Sequence, residues 1–568
     1  MRELFYYKEG LALINYTKFY PTTSDEILSS DAMKDLIKVY IRSIENKNKE
    51  LYKYLVPEGK LEPAVKEIIH LGKALCIFRL NEIDSPYLKT DKDIALFQHF
   101  VEELYNFWRH TSRYALVSTR TSMGLQLANF IEADQRFNQS ILEVYRTIEE
   151  KLQGKKNRIY RQLNAGTNAC IVTREVDWAI PNGYETLKGI PFIDSLMMRT
   201  PLILHTKCNK RYGSFEEVYD NPFKTLDLNR NQWLCFPAKI GNLIAFIYFN
   251  RDFISSGISL GNLFEMATTE EYAGRRPDLI CLFGVEDGKQ DTTFYYDENT
   301  NMYIGYLSYD QKIEYFGYMK KIALTLHNLE KMSQGALPIH GSMVDITLKN
   351  GTKKGVMFIG DSGAGKSETI EALRLVGEDY IEQMDIVFDD MGSLTVTDEK
   401  IYAQGTETGA FVRLDDLEKG TAYRDMDRSI FMNPENNNAR VIIPATTYEN
   451  VIREHKVDMI MYANNYDDKY GLGRFDNLAE AKRTFVEGKR CALGTTHESG
   501  ITTTYFANPF GPMQKQDICD KLLDTAFNRL FEEDIFVGEI YTRLGVKDDS
   551  KDGIKQAATA LLELLTKQ

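Results

Sequence analysis

Apolar residues recur at three- and four-residue spacing through the first part of the chain. Met33, Leu36, Ile37, Tyr40, Ile41 and Ile44 form one stripe, and Phe137, Ile141, Val144, Tyr145, Ile148 and Leu152 form another. That spacing puts side chains on one face of an α-helix, so the segment from about 25 to 153 is expected to be mostly helical. From 159 the pattern changes. NACIVTREVDWAI, TPLILHT, QWLCFPAKIGNLIAFIYF and DLICLFGV are short apolar runs separated by Gly, Asn and Pro, as expected of strands in a mixed α/β region. Further on, GIKQAATALLELLTK (553–567) reads as a helix rich in strong helix formers. The expected division is a mostly helical segment over 1–158, a mixed α/β part over 159–310, and a part with both strands and helices over 311–568. Two or three domains is also what 568 residues predict. No repeat or low-complexity tract interrupts the pattern.

Composition narrows the class. Hydrophobic residues make up 43% and charged residues 27%, and no apolar run approaches the roughly 18 residues that a membrane span needs; NLIAFIYF (242–249) is among the longest. No membrane partner is expected. The first ten residues, MRELFYYKEG, lack the basic-then-apolar layout of a secretory signal. Seven cysteines are scattered from Cys76 to Cys519 without metal-type spacing and are expected to be reduced thiols. A cytoplasmic location follows as an expectation. The net charge of −13 argues against a nucleic-acid partner, because binding a phosphate backbone needs concentrated Lys and Arg. The basic strings KCNKR (207–211) and GKKNR (154–158) read as solvated loops and are assigned no function.

Candidate chemistry begins at GVMFIGDSGAGKSET (355–369). An apolar strand runs into Gly360, Asp361, Ser362, Gly363, Ala364, Gly365, Lys366, Ser367 and Glu368, which fits the nucleoside-triphosphate phosphate loop G-x-x-x-x-G-K-[ST]. Its glycines let backbone N–H groups turn toward phosphates, Lys366 can reach the β/γ oxygens, and the Ser367 hydroxyl can hold Mg²⁺. A helix is expected from about 368, with Gly377 as its stop. DIVFDD (385–390) follows, read as a short strand ending in two acids. Such a pair is often a plain solvated turn, but downstream of a phosphate loop Asp389 and Asp390 are candidate metal ligands.

In order from His340, the segments HGSMVDI, GVMFIGDSGAGKSET and DIVFDD resemble the core of HPr kinase/phosphorylase, which has a similar HG, VDI, GDSGxGKSE and DD series. That family belongs with the phosphoenolpyruvate carboxykinases in one P-loop group, and the wider chain leans toward the carboxykinases. YFGYMKK (315–321) is similar to their Y-A-G-E-M-K-K, LPIHGS (337–342) to their MHCS, and NARVIIP (438–444) to their N-T-R-V-x-Y-P. GTTHESGIT (494–502) and ANPFG (507–511) are similar to the segments G-T-E-R-G-x-T and S-A-C-F-G. The resemblance covers roughly residues 310 to 515. Each motif is weak alone, and their order around a phosphate loop makes the set specific.

The resemblance implies an α/β fold with a phosphoenolpyruvate carboxykinase-like mixed-sheet catalytic domain over 311–568, behind a mixed α/β substrate-type domain and the helical segment. It implies that Lys321, His340 and Asp390 hold Mn²⁺, while Ser367 and Asp389 serve a nucleotide-bound Mg²⁺. The chemistry agrees, since an amine ligates only when deprotonated, and burial and the neighbouring Lys320 both favour that. Taken alone, a Lys-Lys pair reads as a solvated helix face and a lone His as a packed one. Arg440 matches the arginine that neutralises charge on the transferred phosphoryl group, with a surface salt bridge as its plain alternative. Lys366, Arg440, Lys321 and Asp390 are the expected catalytic set.

Departures bear on the substrate. Tyr318 stands where the carboxykinases have a glutamate, Ser499 replaces an arginine, and the carboxylate-binding motif G-R-S-P-K-D has no good counterpart. The nearest string is GRRPD (274–278), so Arg275, with Tyr315 and Arg440, is the candidate for substrate contact. NNYDDKYGLGRF (464–475) lies where the carboxykinases carry a mobile lid, with Gly471 and Gly473 as candidate hinges; a plain surface loop is the alternative. The leading expectation is ATP-dependent conversion of oxaloacetate to phosphoenolpyruvate, ADP and CO₂, with a small carboxylic acid as substrate. A kinase acting on a hydroxyl, or a nucleotide-binding regulator without turnover, are the alternatives.

Overall fold

The structure, a computed structural model, describes residues 5–8, 10–15, 21, 23–118, 124–154, 166–212, 214–360, 363–397, 400–414, 426–436, 438–492, 500–503, 515–546 and 550–567. The chain divides into two compact units: residues 1–174 with 193–199, and residues 175–192 with 200–568. The architecture is mixed α/β, with large mixed sheets. None of the described helices is long and apolar enough to cross a membrane.

Unit 1 combines a sheet with a helical layer. β1 (Phe5–Lys8) pairs antiparallel with β2 (Leu11–Asn15), β3 (Ser112–Ser118) lies parallel to β2, β4 (Ala169–Arg174) lies parallel to β3, and β5 (Phe192–Met198) follows beside β4. Among the described residues, five α-helices lie between β2 and β3: α1 (Ser24–Ser29), α2 (Asp31–Ile44), α3 (Lys49–Leu55), α4 (Leu61–Ile77) and α5 (Asp91–His110). The connection from β3 to β4 carries α6 (Gly124–Gln153). The Ser30 hydroxyl caps α2 by accepting the Met33 N–H, and the predicted stripe Leu36, Ile37, Tyr40, Ile41 and Ile44 is buried. The helical periodicity read over 25–153 is interrupted by β3. Its sequence, SRYALVS, is a central parallel strand, and such strands show a continuous apolar run that periodicity cannot separate from a buried helix.

In unit 2 the first sheet is built from β7 (Glu216–Val218), β8 (Trp233–Ile240), β9 (Leu243–Asn250), β10 (Glu265–Met266), β11 (Leu279–Val285), β12 (Thr292–Asp297) and β13 (Met302–Ser308). Its order is β8-β9-β11-β13-β12-β7, with β10 on β8. The short helices α7 (Ile254–Ser259) and α8 (Thr269–Tyr272) fall within this run, and β6 (Leu202–Leu204) precedes it. Helix α9 (Phe316–Ser333) packs against β8, β9, β11 and β13, and also against β14 (Leu337–Leu348) of the second sheet. It is buried on nearly every side, including at Lys320, His327, Asn328 and Lys331.

The second sheet has the order β21-β17-β16-β14-β15-β22-β26-β23. Along the chain these strands and their neighbours are β15 (Lys353–Ile359), α10 (Lys366–Val376), β16 (Ile381–Val396), β17 (Ile401–Gly405), β18 (Gly409–Arg413), β19 (Ile430–Met432), β20 (Arg440–Pro444), α11 (Tyr448–Ile452), β21 (His455–Lys456), β22 (Met459–Asn464), β23 (Leu472–Arg474), α12 (Leu478–Glu487), β24 (Arg490–Ala492), β25 (Gly500–Thr502), α13 (Gln516–Glu532), β26 (Phe536–Tyr541) and α14 (Ser550–Lys567). Both sheet faces are covered. Val356 and Phe358 of β15 join Ile370 and Leu373 of α10 and Leu561 of α14, whereas Met357 and Ile359 join Phe485 of α12 and Phe527 of α13. The alternation is the period of two that a strand requires, with apolar partners on each side. A smaller sheet, β18-β20-β19-β6, carries Arg440.

Candidate functional site

β15 turns into α10 through the glycine-rich loop. Gly365 has φ +99°, and a Cβ there would lie 2.8 Å from Cβ of Thr542, so this cap needs glycine both for its backbone and for its space. The loop is fastened by two side chains that sequence reasoning did not single out. Asn465 Nδ2 donates to the Gly363 carbonyl at 3.0 Å, and Thr542 Oγ1 donates to the Ala364 carbonyl at 2.8 Å. Lys366 opens α10 and donates to the Gly360 carbonyl at 2.8 Å. In the same turn, the exposed Ser367 hydroxyl lies 3.2 Å from Asp389 Oδ2, and Glu368 adds an acid. Asp361 and Ser362 lie outside the described residues, as do 155–158, 494–499 and 507–511.

Asp389 and Asp390 do not end a strand as expected. β16 continues to Val396 because MGSLTV keeps pairing with β14 and β17. Gly341 stands opposite Asp390 and Ser342 opposite Asp389. A Cβ at Gly341 would lie 2.4 Å from the Phe358 carbonyl oxygen, which accounts for glycine after His340. Asp390 has φ +151°, a conformation that costs a non-glycine residue about 1–3 kcal/mol and persists where its surroundings over-determine it. Here they do. His340 Nε2 lies 3.1 Å from Asp390 Oδ1, while Oδ2 contacts the Lys320 ammonium and lies 3.8 Å from Lys321 Nζ.

The two adjacent lysines differ. The Lys320 side chain is 1% exposed and also pairs with Glu407 Oε1 at 3.0 Å; Glu407 is 4% exposed. Lys321 and Asp390 are each 22% exposed, so a ligand can reach them. Burial disfavours the charge on Lys320, but Asp390 and Glu407 together outweigh it and hold its pKa above the usual range. Burial also acts on Lys321. There Asp390 and, less strongly, Glu407 oppose it, but the Lys320 and Arg211 charges add to it, so the Lys321 pKa is lowered. Burial pushes Asp390 up, but Lys320, Lys321 and His340 hold it well below the usual carboxylate range. Asp389 is raised by burial, against the pull of Lys366 and with a push from Asp390.

Asp390, His340 and Lys321 thus converge as one oxygen and two nitrogen donors, a set compatible with a divalent transition metal such as Mn²⁺. The lowered Lys321 pKa favours the neutral amine that ligation requires. His340 Nδ1 is buried with no hydrogen-bond partner among the described residues. Those residues include no group of three or more His, Cys, Asp and Glu side chains fit to hold a metal. The third donor would have to be the Lys321 amine.

A cationic wall completes the site. Arg440 donates to Asn438 Oδ1 at 2.9 Å, and its guanidinium stands 5.6 Å from the centre of the Phe411 ring, with Lys320 Nζ at 5.7 Å from the same centre. Burial raises the Tyr315 hydroxyl pKa against the pull of Arg440, Lys320 and Arg211. Arg211 belongs to KCNKR, the string assigned no function. The structure ties that segment down: the Lys207 N–H donates to Glu314 at 2.8 Å, the Tyr212 N–H to the Tyr318 hydroxyl at 2.9 Å, and Asn438 Nδ2 to the Asn209 carbonyl at 2.6 Å. Arg211 is one of the cations disfavouring charge on Lys321. Arg275 is instead exposed in the turn before β11, held through its backbone by Tyr272 and Ala179.

Beside Thr542, the Arg543 guanidinium lies 3.9 Å from the centre of the Tyr470 ring and pairs with Asp468. The candidate lid is anchored in part: Leu472–Arg474 is β23, paired with β26, and a Cβ at Gly473 would lie 2.7 Å from the Tyr541 hydroxyl. A three-residue strand with Gly473 inside it and Gly471 just before it carries little sequence signal. No family model matches the chain, and no curated protein matches it.

Proposed function

We propose that the chain is an ATP-dependent phosphotransferase of the phosphoenolpyruvate carboxykinase-like P-loop group, converting oxaloacetate and ATP to phosphoenolpyruvate, ADP and CO₂. The observation that carries this reading is the gathering of Lys321, His340 and Asp390 next to the Ser367–Asp389 pair at the phosphate loop. The loop amides and Lys366 would hold the triphosphate, and Arg440 would balance charge on the phosphoryl group in transit. Ser367 and Asp389 would hold nucleotide-bound Mg²⁺. Lys321, His340 and Asp390 would hold Mn²⁺, which supplies a Lewis acid for the acceptor oxygen. Arg211 takes the anchoring role first sought at Arg275, giving a substrate carboxylate a partly buried guanidinium. Seven free thiols fit a cytoplasmic location.

The experiment is a coupled assay of oxaloacetate- and ATP-dependent phosphoenolpyruvate formation with Mg²⁺ and Mn²⁺, with Lys366→Ala as the control. Turnover that depends on Lys366 is expected; none above the control would remove the carboxykinase assignment. Phosphate transfer from γ-labelled ATP to a hydroxyl acceptor in its place would favour the kinase reading, which rests on the GDSGAGKSE string (360–368).

A further inference from the structure

The interior side of Asp390 holds a feature that the proposed chemistry does not use. Lys320 and Glu407 are almost completely enclosed, at 1% and 4% side-chain exposure, so neither is placed to touch a small substrate. They lie directly behind a carboxylate that a ligand can reach. Glu407 enters from the GTETG segment (405–409), and the single hydroxyl proton of its neighbour Thr406 is shared between the Glu407 carboxylate and the Met391 carbonyl, which lies 3.0 Å away. The acid is therefore fixed to the same strand that carries Asp390.

Charge decides what the pair does. Asp390 has one negative charge and faces Lys320, Lys321 and His340. A buried ammonium without a second acid would take up that charge fully, because two unlike ions in contact within a protein interior attract far more strongly than in water. Any cation approaching Asp390 would then meet a neutralised carboxylate with a positive charge behind it. Glu407 supplies the missing acid at 3.0 Å from Lys320.

We propose that Glu407 is a positioning residue of the metal centre: by holding Lys320, it leaves the charge of Asp390 available to a divalent cation bound with Lys321 and His340. This rests on the metal-centre reading above. The chemistry is that of a second carboxylate tuning a ligating one through a shared lysine, a role whose loss typically costs on the order of 10- to 100-fold in metal affinity.

The test uses Mn²⁺ alone, titrated into the full chain and followed by the electron paramagnetic resonance signal of free Mn²⁺, with no turnover required. Glu407→Gln is expected to weaken Mn²⁺ binding by about tenfold or more. Adding Lys320→Met to it removes the unbalanced ammonium and is expected to restore affinity to within a few-fold of the native chain. Glu407→Asp, which keeps the charge, is expected to fall between the native chain and Glu407→Gln. Native affinity in Glu407→Gln would overturn the proposal. So would a double variant that melts normally yet binds as weakly as Glu407→Gln, since that is the mark of a merely structural role. If Glu407→Gln does not fold, the aspartate and double variants carry the same comparison. A native chain that binds no Mn²⁺ would overturn the metal-centre reading and Glu407's role with it, whereas the other two negative results leave that reading in place.

Discussion

Replacing Arg211 by glutamine removes a guanidinium from a neighbourhood that already holds Lys320, Lys321 and Arg440. In the proposed reading the nucleotide is held at the phosphate loop, so the loss should fall on the acceptor. Hydrogen bonds to a charged partner contribute roughly 1.5–3 kcal/mol, which corresponds to about a 10- to 100-fold rise in KM for a carboxylate acceptor. The KM for ATP should stay near the native value, and Arg275→Gln should change neither constant; steady-state kinetics on the two variants checks this. Arg211 was hard to find from sequence because a lysine- and arginine-rich string most often marks a solvated loop. Its selection depends on Asn438, Glu314 and Tyr318, residues more than a hundred positions away. Lys320 and Lys321 pose the opposite case. Motif order brings both to the site, but only the fold shows that one is enclosed by two acids and the other lies open.

Helix α9 brings those lysines to the site and is enclosed by two sheets, so its polar residues are buried along with its apolar ones. His327 shows the consequence. Burial, with the Lys331 ammonium nearby, lowers its pKa from 6.5 to about 3. Between those values the unfolded chain takes up a proton on this ring and the folded chain does not, so stability is intact above pH 6.5 and falls as the pH drops toward 3. At about 1.4 kcal/mol per unit, the full span corresponds to on the order of 5 kcal/mol. Urea unfolding at a series of pH values should show that slope, and His327→Leu should reduce it by the share of one proton. In sequence this segment reads as a motif and not as a helix, although Met319, Lys320, Lys321, Ala323, Leu324, Leu326 and Leu329 are good helix formers. Its burial could not be read either, because periodicity assumes a solvated face and α9 is enclosed on nearly every side. β3 and β23 were hidden for a related reason: one is a short apolar run between helices and the other a glycine-rich edge, and neither has the alternation that announces a strand.

The two units have separate cores. Leu51, Leu55, Val65, Leu75 and Phe97 anchor the helical layer of unit 1, while the phosphate loop and every group around Asp390 belong to unit 2. A ligand that binds only the folded loop stabilises it by RT ln(1 + [L]/Kd), about 2.7 kcal/mol at a hundredfold excess over Kd. Spread over a unit of this size, that raises the melting temperature by on the order of a few degrees. Differential scanning calorimetry of the full chain should therefore show Mg-ATP moving the transition of unit 2 and leaving that of unit 1 in place. Lys366→Ala removes the side chain that reaches across the loop to the Gly360 carbonyl and, with nucleotide present, toward the β/γ oxygens; in that variant the shift should shrink or vanish while both transitions persist. A native chain whose transitions ignore Mg-ATP at millimolar concentration would remove nucleotide binding itself, and the phosphoryl chemistry with it.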